Sequence, residues 1–125
     1  MSTKIFVYGT LRSGQPNDIT NFFKDEEDAK VIATNMVVKG FELRQVAQRP
    51  FPALIPGTED DYVIGDVFEV SDFVRHDMDR IESHPIMYIR TPFVHDNEHY
   101  QTYLWNYSHS FLVKPRNKIH DWNKL

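Results

Sequence analysis

A chain of 125 residues has room for one domain with a core but not for two, and 41% apolar with 26% charged residues excludes a disordered chain. The net charge of −4 argues against a basic footprint for nucleic acid or an anionic membrane, and the lack of cysteine removes disulfides, thiolate nucleophiles and thiolate metal sites. No stretch approaches ~18 apolar residues and no signal-peptide pattern opens the chain, so the expectation is a cytoplasmic protein.

The first element is a buried strand over Lys4–Tyr8 (KIFVY), which runs into a glycine-bearing polar loop from Gly9 to Asp18. Asp18 can cap a short helical turn carrying Ile19, Phe22 and Phe23, and KDEED (24–28) reads as a solvated turn. Two strands follow, Ala29–Val38 and Phe41–Arg44, joined or bent at Gly40. Residues 49–57 (RPFPALIPG) hold three prolines, which rule out a regular helix and disfavour a central strand. They read as a stiff extended connection.

Tyr62–Val70 alternates as a strand, with Gly65 marking a bulge or a close approach. Ser71 is a natural N-cap for a helix over Asp72–Glu82, stopped by Pro85. Val74, Met78 and Ile81 form its apolar stripe, and Arg75, Asp79 and Arg80 face outward. Met87–His95 and His99–Trp105 read as a hairpin around DNE, and the chain from Asn106 as an irregular segment whose basic residues solvate it. Strands dominate, with one clear helix inserted late. This order predicts a small α+β domain, its strands curled into a barrel-like sheet, and excludes a doubly wound nucleotide-binding fold.

The opening loop has neither G-x-x-x-x-G-K-[ST] nor G-x-G-x-x-G, so it is not a phosphate cradle. Gly9 still exposes neighbouring amides that can hold a carboxylate or polarise a carbonyl, and a plain turn is the competing reading. His95 and His99 flank a turn without a third ligand, so no metal is expected. His84 is read as a histidine at the helix end. Glu82 stands apart because it prolongs the apolar stripe at the negative end of the helix. Burial and the helix dipole both disfavour its charge, which suits a carboxyl that accepts and returns protons near neutral pH. Fraying of the helix end, or neutralisation by Arg90, would leave it inert.

In chain order, FVYGTLRSGQPN, PALIPG, VIGDVFEV and MDRIESHPIMYIR resemble the γ-glutamylcyclotransferase-like superfamily. The closer likeness is to its γ-glutamylamine cyclotransferases, through Y-G-T-L-[KR], G-Q-P-N and E-S-x-P-x-x-Y-x-R. The resemblance covers residues 4–105 of a domain placed at 1–125, and 106–125 matches weakly. It implies a small mixed β-barrel with flanking helices, no metal and no organic cofactor. It also implies intramolecular cyclisation of a γ-glutamyl amine, such as γ-glutamyl-ε-lysine, to 5-oxoproline and free amine. By matched position Glu82 is the acid/base, and Tyr8, Gly9, Thr10 and Leu11 are the substrate loop. Tyr88 is expected to supply a hydroxyl donor at the rim, and 49–57 a stiff wall. The expected partner is a small γ-glutamyl molecule, with no nucleic acid or membrane and a monomer favoured. Another γ-glutamyl amide or amino acid as substrate, or a non-catalytic metabolite-binding module, are the alternatives.

Overall fold

The computed structural model describes residues 2–9, 11–12 and 28–124. The helical turn expected around Ile19, Phe22 and Phe23 lies outside the described residues. Among the described residues, seven strands and one α-helix follow in order: β1 (Ser2–Val7), β2 (Ala29–Lys39), β3 (Phe41–Gln45), β4 (Pro52–Pro56), β5 (Tyr62–Ser71), α1 (Asp72–Ile81), β6 (Tyr88–His95) and β7 (Glu98–Trp105). Five of the strands form one sheet in the order β2-β5-β1-β7-β6, and β3 and β4 form a separate two-stranded sheet. Within the sheet β1 runs antiparallel to β5 and parallel to β7.

The expected closure into a barrel is not seen in this pairing. β2 and β6 are opposite edges of the sheet and do not join, and one α-helix rather than several flanks it among the described residues. The proline-rich stretch also departs from expectation, because Pro52–Pro56 is a strand. Prolines at both its ends lack the N–H that a central strand needs, which suits a two-stranded ladder with β3.

Alternation along β1 and β5 divides the core. Ile5 and Val7 of β1, with Phe68 and Val70 of β5, pack with Val74 and Met78 of α1. Phe6 and Tyr8, with Val63 and Val67, pack instead with Leu43 of β3 and Leu54 of β4. Burying Val74 and Met78 stabilises the helix against the sheet by about 1.5–3 kcal/mol each. Ser71 caps α1 by accepting from Val74 N at 3.3 Å. The β6–β7 hairpin turns through Asp96 and Asn97, both at positive φ, as a tight two-residue hairpin requires. Gly65 is a close approach, as anticipated: a Cβ there would lie 2.4 Å from the Val7 carbonyl oxygen.

The segment after Trp105 is more than an irregular tail. It straps β3 and its following turn through the bridges Leu43↔Ile119 and Val46↔Leu112. Ile64 N–H donates to His120 O at 2.7 Å, and the His120 ring stacks on Tyr62. Lys118, one of its basic residues, pairs with Asp61.

Candidate active site

Where β1 ends, the chain turns sharply and Arg12 N–H closes the turn on Gly9 O at 3.0 Å. Gly9 is needed here for proximity. A Cβ would sit 2.8 Å from Pro52 Cγ, so any side chain would push the turn off β4. Tyr8 and Leu11, on either side, are buried. The next residue, Arg12, is 1% exposed and points away, pairing with Asp66 at 3.3 Å and Asp121 at 2.8 Å and donating to Asn35 Oδ1 at 2.9 Å.

The helix supplies the opposite wall. Ser83 N–H donates to Arg80 O and His84 N–H to Asp79 O, with Ser83 in the left-handed conformation. This paired closure ends α1 at Ile81, four residues before Pro85, so the helix neither waits for the proline nor frays. Glu82 is therefore the ordered C-cap. Ile81, expected in the core stripe, is 44% exposed and belongs to a cavity wall instead.

Between these walls lies a cavity of about 640 Å³. Tyr8, Gly9 and Leu11 line it from the β1 loop, Phe51 and Pro52 from the approach to β4, and Glu82 and Tyr88 from the helix side. Five of the six residues singled out from the sequence thus share one cavity, and Thr10 lies outside the described residues. Its apolar, aromatic lining with few polar groups is typical of a small-molecule site.

Glu82 makes no side-chain hydrogen bond or ion pair among the described residues. Burial pushes its pKa up to about 7. Arg90 does not neutralise it: its Nε donates to Asp79 Oδ1 at 2.9 Å and its Nη1 to Gln101. Burial raises the phenols of Tyr8, Tyr88 and Tyr103, and the Glu82 charge raises each of them further.

The expectation for Tyr88 is corrected. It is buried rather than at the rim, and its hydroxyl donates to Pro52 O at 2.6 Å. Tyr8 likewise donates to Tyr103 O at 2.6 Å. With their protons committed, both phenols can offer a ligand only lone pairs. Asp79, expected to face outward, instead accepts from Tyr103 Oη at 2.6 Å and from Arg90. His84 Nδ1 accepts from Arg90 N–H at 3.0 Å. Tyr103 was missed because its place depends on β7 pairing with both β1 and β6, which no local pattern reveals. Among the described residues no group of three or more His, Cys, Asp or Glu could hold a metal ion. No helix among them is long and apolar enough to cross a membrane.

A sheet with one packed helix, whose end brings one described carboxylate to a tyrosine-lined cavity, is an arrangement suited to a small-molecule site on an α+β scaffold. The crystal structure of a mouse AIG2-like protein has the same fold, with a TM-score of 0.67 and 27% identity over 88% of this chain and 82% of that one. A Drosophila melanogaster protein with the provisional name gamma-glutamylcyclotransferase is 30% identical over 122 residues, 91% of this chain and 77% of that protein. Rat gamma-glutamylaminecyclotransferase is 34% identical over 89 residues, which are 70% of this chain but only 59% of the rat protein. Residues 5–124 match the gamma-glutamyl cyclotransferase, AIG2-like family, and the chain belongs to that enzyme family. The match runs to residue 124, through the strap that the motifs alone left weakly matched.

Proposed function

We propose that this chain cyclises γ-glutamyl amines, with γ-glutamyl-ε-lysine as the type substrate, releasing 5-oxoproline and the free amine. The observation that carries this reading is the Glu82 carboxyl, without a partner among the described residues and poised near pH 7, in the same cavity as Tyr8, Gly9 and Leu11. The fly and rat relatives, whose names describe this chemistry, support it.

The reaction joins the substrate's α-nitrogen to its γ-carbonyl carbon and breaks the bond from that carbon to the departing nitrogen. Once the α-amine is neutral, its attack leaves one surplus proton on the α-nitrogen. Glu82 takes that proton and returns it to the departing nitrogen, so its carboxylate is regenerated and one residue serves both steps. A pKa near the working pH suits both directions of transfer. The phenolic oxygens of Tyr8 and Tyr88 accept hydrogen bonds from the α-amine and hold it beside Glu82. Amides at Gly9 and Leu11 orient the γ-glutamyl part and offset charge growing on the carbonyl oxygen. Because ring closure is intramolecular, holding a folded conformer is a large part of catalysis, and effective molarities of ~10⁵ M or more are known for such reactions.

Incubation with γ-glutamyl-ε-lysine and detection of 5-oxoproline test the proposal. Glu82→Gln should lose at least ~10³-fold in kcat, in the range expected when a general acid/base is removed. Turnover by Glu82→Gln equal to the unaltered protein refutes the assigned mechanism.

A further inference from the structure

The wall that faces the helix end carries the one cationic side chain among the described residues lining the cavity, Arg49. Its backbone is fixed from two sides. Arg49 N–H donates to Val46 O and Val46 N–H to Phe51 O, both at 3.1 Å, and Gln45 Nε2 donates to Arg49 O at 3.4 Å. From outside, the C-terminal strap holds the same turn, with Ala47 N–H donating to Phe111 O at 2.7 Å and Val113 N–H to Gln45 O at 2.8 Å. The neighbouring Gln48 sits at φ 61, a left-handed conformation that a free loop seldom adopts. The turn is built, yet the Arg49 guanidinium has no hydrogen-bond or ion-pair partner among the described residues.

Among the described residues, the other polar side chains that line the cavity are acceptors. Glu82 is a carboxylate when charged, and the phenols of Tyr8, Tyr88 and Tyr103 give their protons to Tyr103 O, Pro52 O and Asp79. A ligand that satisfies both sides is therefore dipolar, with N–H donors toward Glu82 and the phenols and an anionic group toward Arg49. Arg49 is solvent-exposed, whereas Tyr8, Leu11 and Tyr88 are buried. The anionic group belongs to the outer part of the ligand, which in the reaction above is the departing amine. We infer that Arg49 is a specificity-determining residue, selecting γ-glutamyl derivatives whose departing amine bears a carboxylate. This rests on the cyclotransferase reading of the same cavity. A guanidinium matches a carboxylate with two parallel N–H donors, and an exposed pair of this kind weakens with salt.

The test compares γ-glutamyl-ε-lysine with γ-glutamyl-ε-lysinamide, which differ only in that carboxylate, on the unaltered protein, Arg49→Met and Arg49→Lys. The unaltered protein is expected to favour the acid about fivefold or more in kcat/KM, mainly through KM, and less so at 0.5 M salt. Arg49→Met should bring the ratio to near one, and Arg49→Lys should keep part of it. A ratio unchanged in Arg49→Met overturns the inference and leaves the cyclotransferase reading standing. 5-Oxoproline binding, measured by calorimetry, separates the two carboxylates of the substrate. If Arg49→Met weakens it as much as it weakens the acid substrate, Arg49 holds the γ-glutamyl carboxylate and the inference falls. Absence of 5-oxoproline from both substrates overturns the cyclotransferase reading and the inference with it.

Discussion

Replacing Glu82 by Gln should stabilise the fold while removing activity, and the pH dependence of that gain is the sharper test. Burial lifts this carboxyl from its ordinary 4.5 to about 7. Between those values the native state holds a proton that the unfolded chain has released, so native stability falls as pH rises through the window and levels off above it. At about 1.4 kcal/mol per tenfold change in proton affinity, the charged form costs the native state at most ~3.5 kcal/mol. Glu82 is only half-buried and its cavity admits water, which reduces the expected cost to about 1–2 kcal/mol. Gln keeps the size and has an amide that can donate to the phenolic oxygens of Tyr8 and Tyr88, but it has no charge to desolvate.

Thermal unfolding of both proteins at pH 5 and at pH 8 reads this out. At pH 8 Glu82→Gln should melt roughly 3–8 °C higher, the shift that 1–2 kcal/mol produces in a chain of this size. At pH 5, where the native carboxyl is protonated, most of the difference should vanish. A gain of equal size at both values, or a loss at pH 8, would refute the assignment of a strained carboxyl at this position. Stability gained where activity is lost is the expected signature of a group kept for chemistry.

Three further outcomes follow from named contacts. The kcat/KM for a γ-glutamyl amine should rise through about pH 7 as Glu82 loses its proton, and a flat profile from pH 5.5 to 8 would contradict its role as base. Arg12→Leu takes the cation from the Asp66 and Asp121 carboxylates, and urea unfolding should show a loss of about 3–5 kcal/mol. Gly65→Ala would set a Cβ against the Val7 carbonyl, which is backbone and cannot rotate away, so a loss of about 2–3 kcal/mol is expected in the same assay.

Local pattern made much of the sheet and helix legible. Ser71 announced its helix, and the alternation in Tyr62–Val70 its strand, because caps and burial periodicity act over a few residues. Glu82 was legible for the same reason: a carboxylate at the end of an apolar stripe is a local conflict. Tyr103 was not, since it reaches the cavity only through pairings distant in sequence, and Arg49 lay within the 49–57 wall without being singled out. Asp79 misled because helical spacing puts it among outward charges, while Tyr103 and Arg90, brought by β7 and β6, draw it inward. The placement of β2 and β6 at opposite ends of the sheet was equally hidden, because strand order is a property of the whole chain.

The loop after β1 shows how the two kinds of information combine. Within five residues, Tyr8, Gly9 and Leu11 face the cavity while Arg12 faces the other way, into Asp66 and the strap residue Asp121. The strap also supports Ala47 and Gln45, beside the turn that carries Arg49. Both walls that would meet the γ-glutamyl part and the departing amine therefore lean on residues 111–121. The strap contributes no described residue to the lining of the cavity. Its substitution should consequently disturb how substrate is held more than how the proton moves, and Asp121→Asn should raise KM more than it lowers kcat.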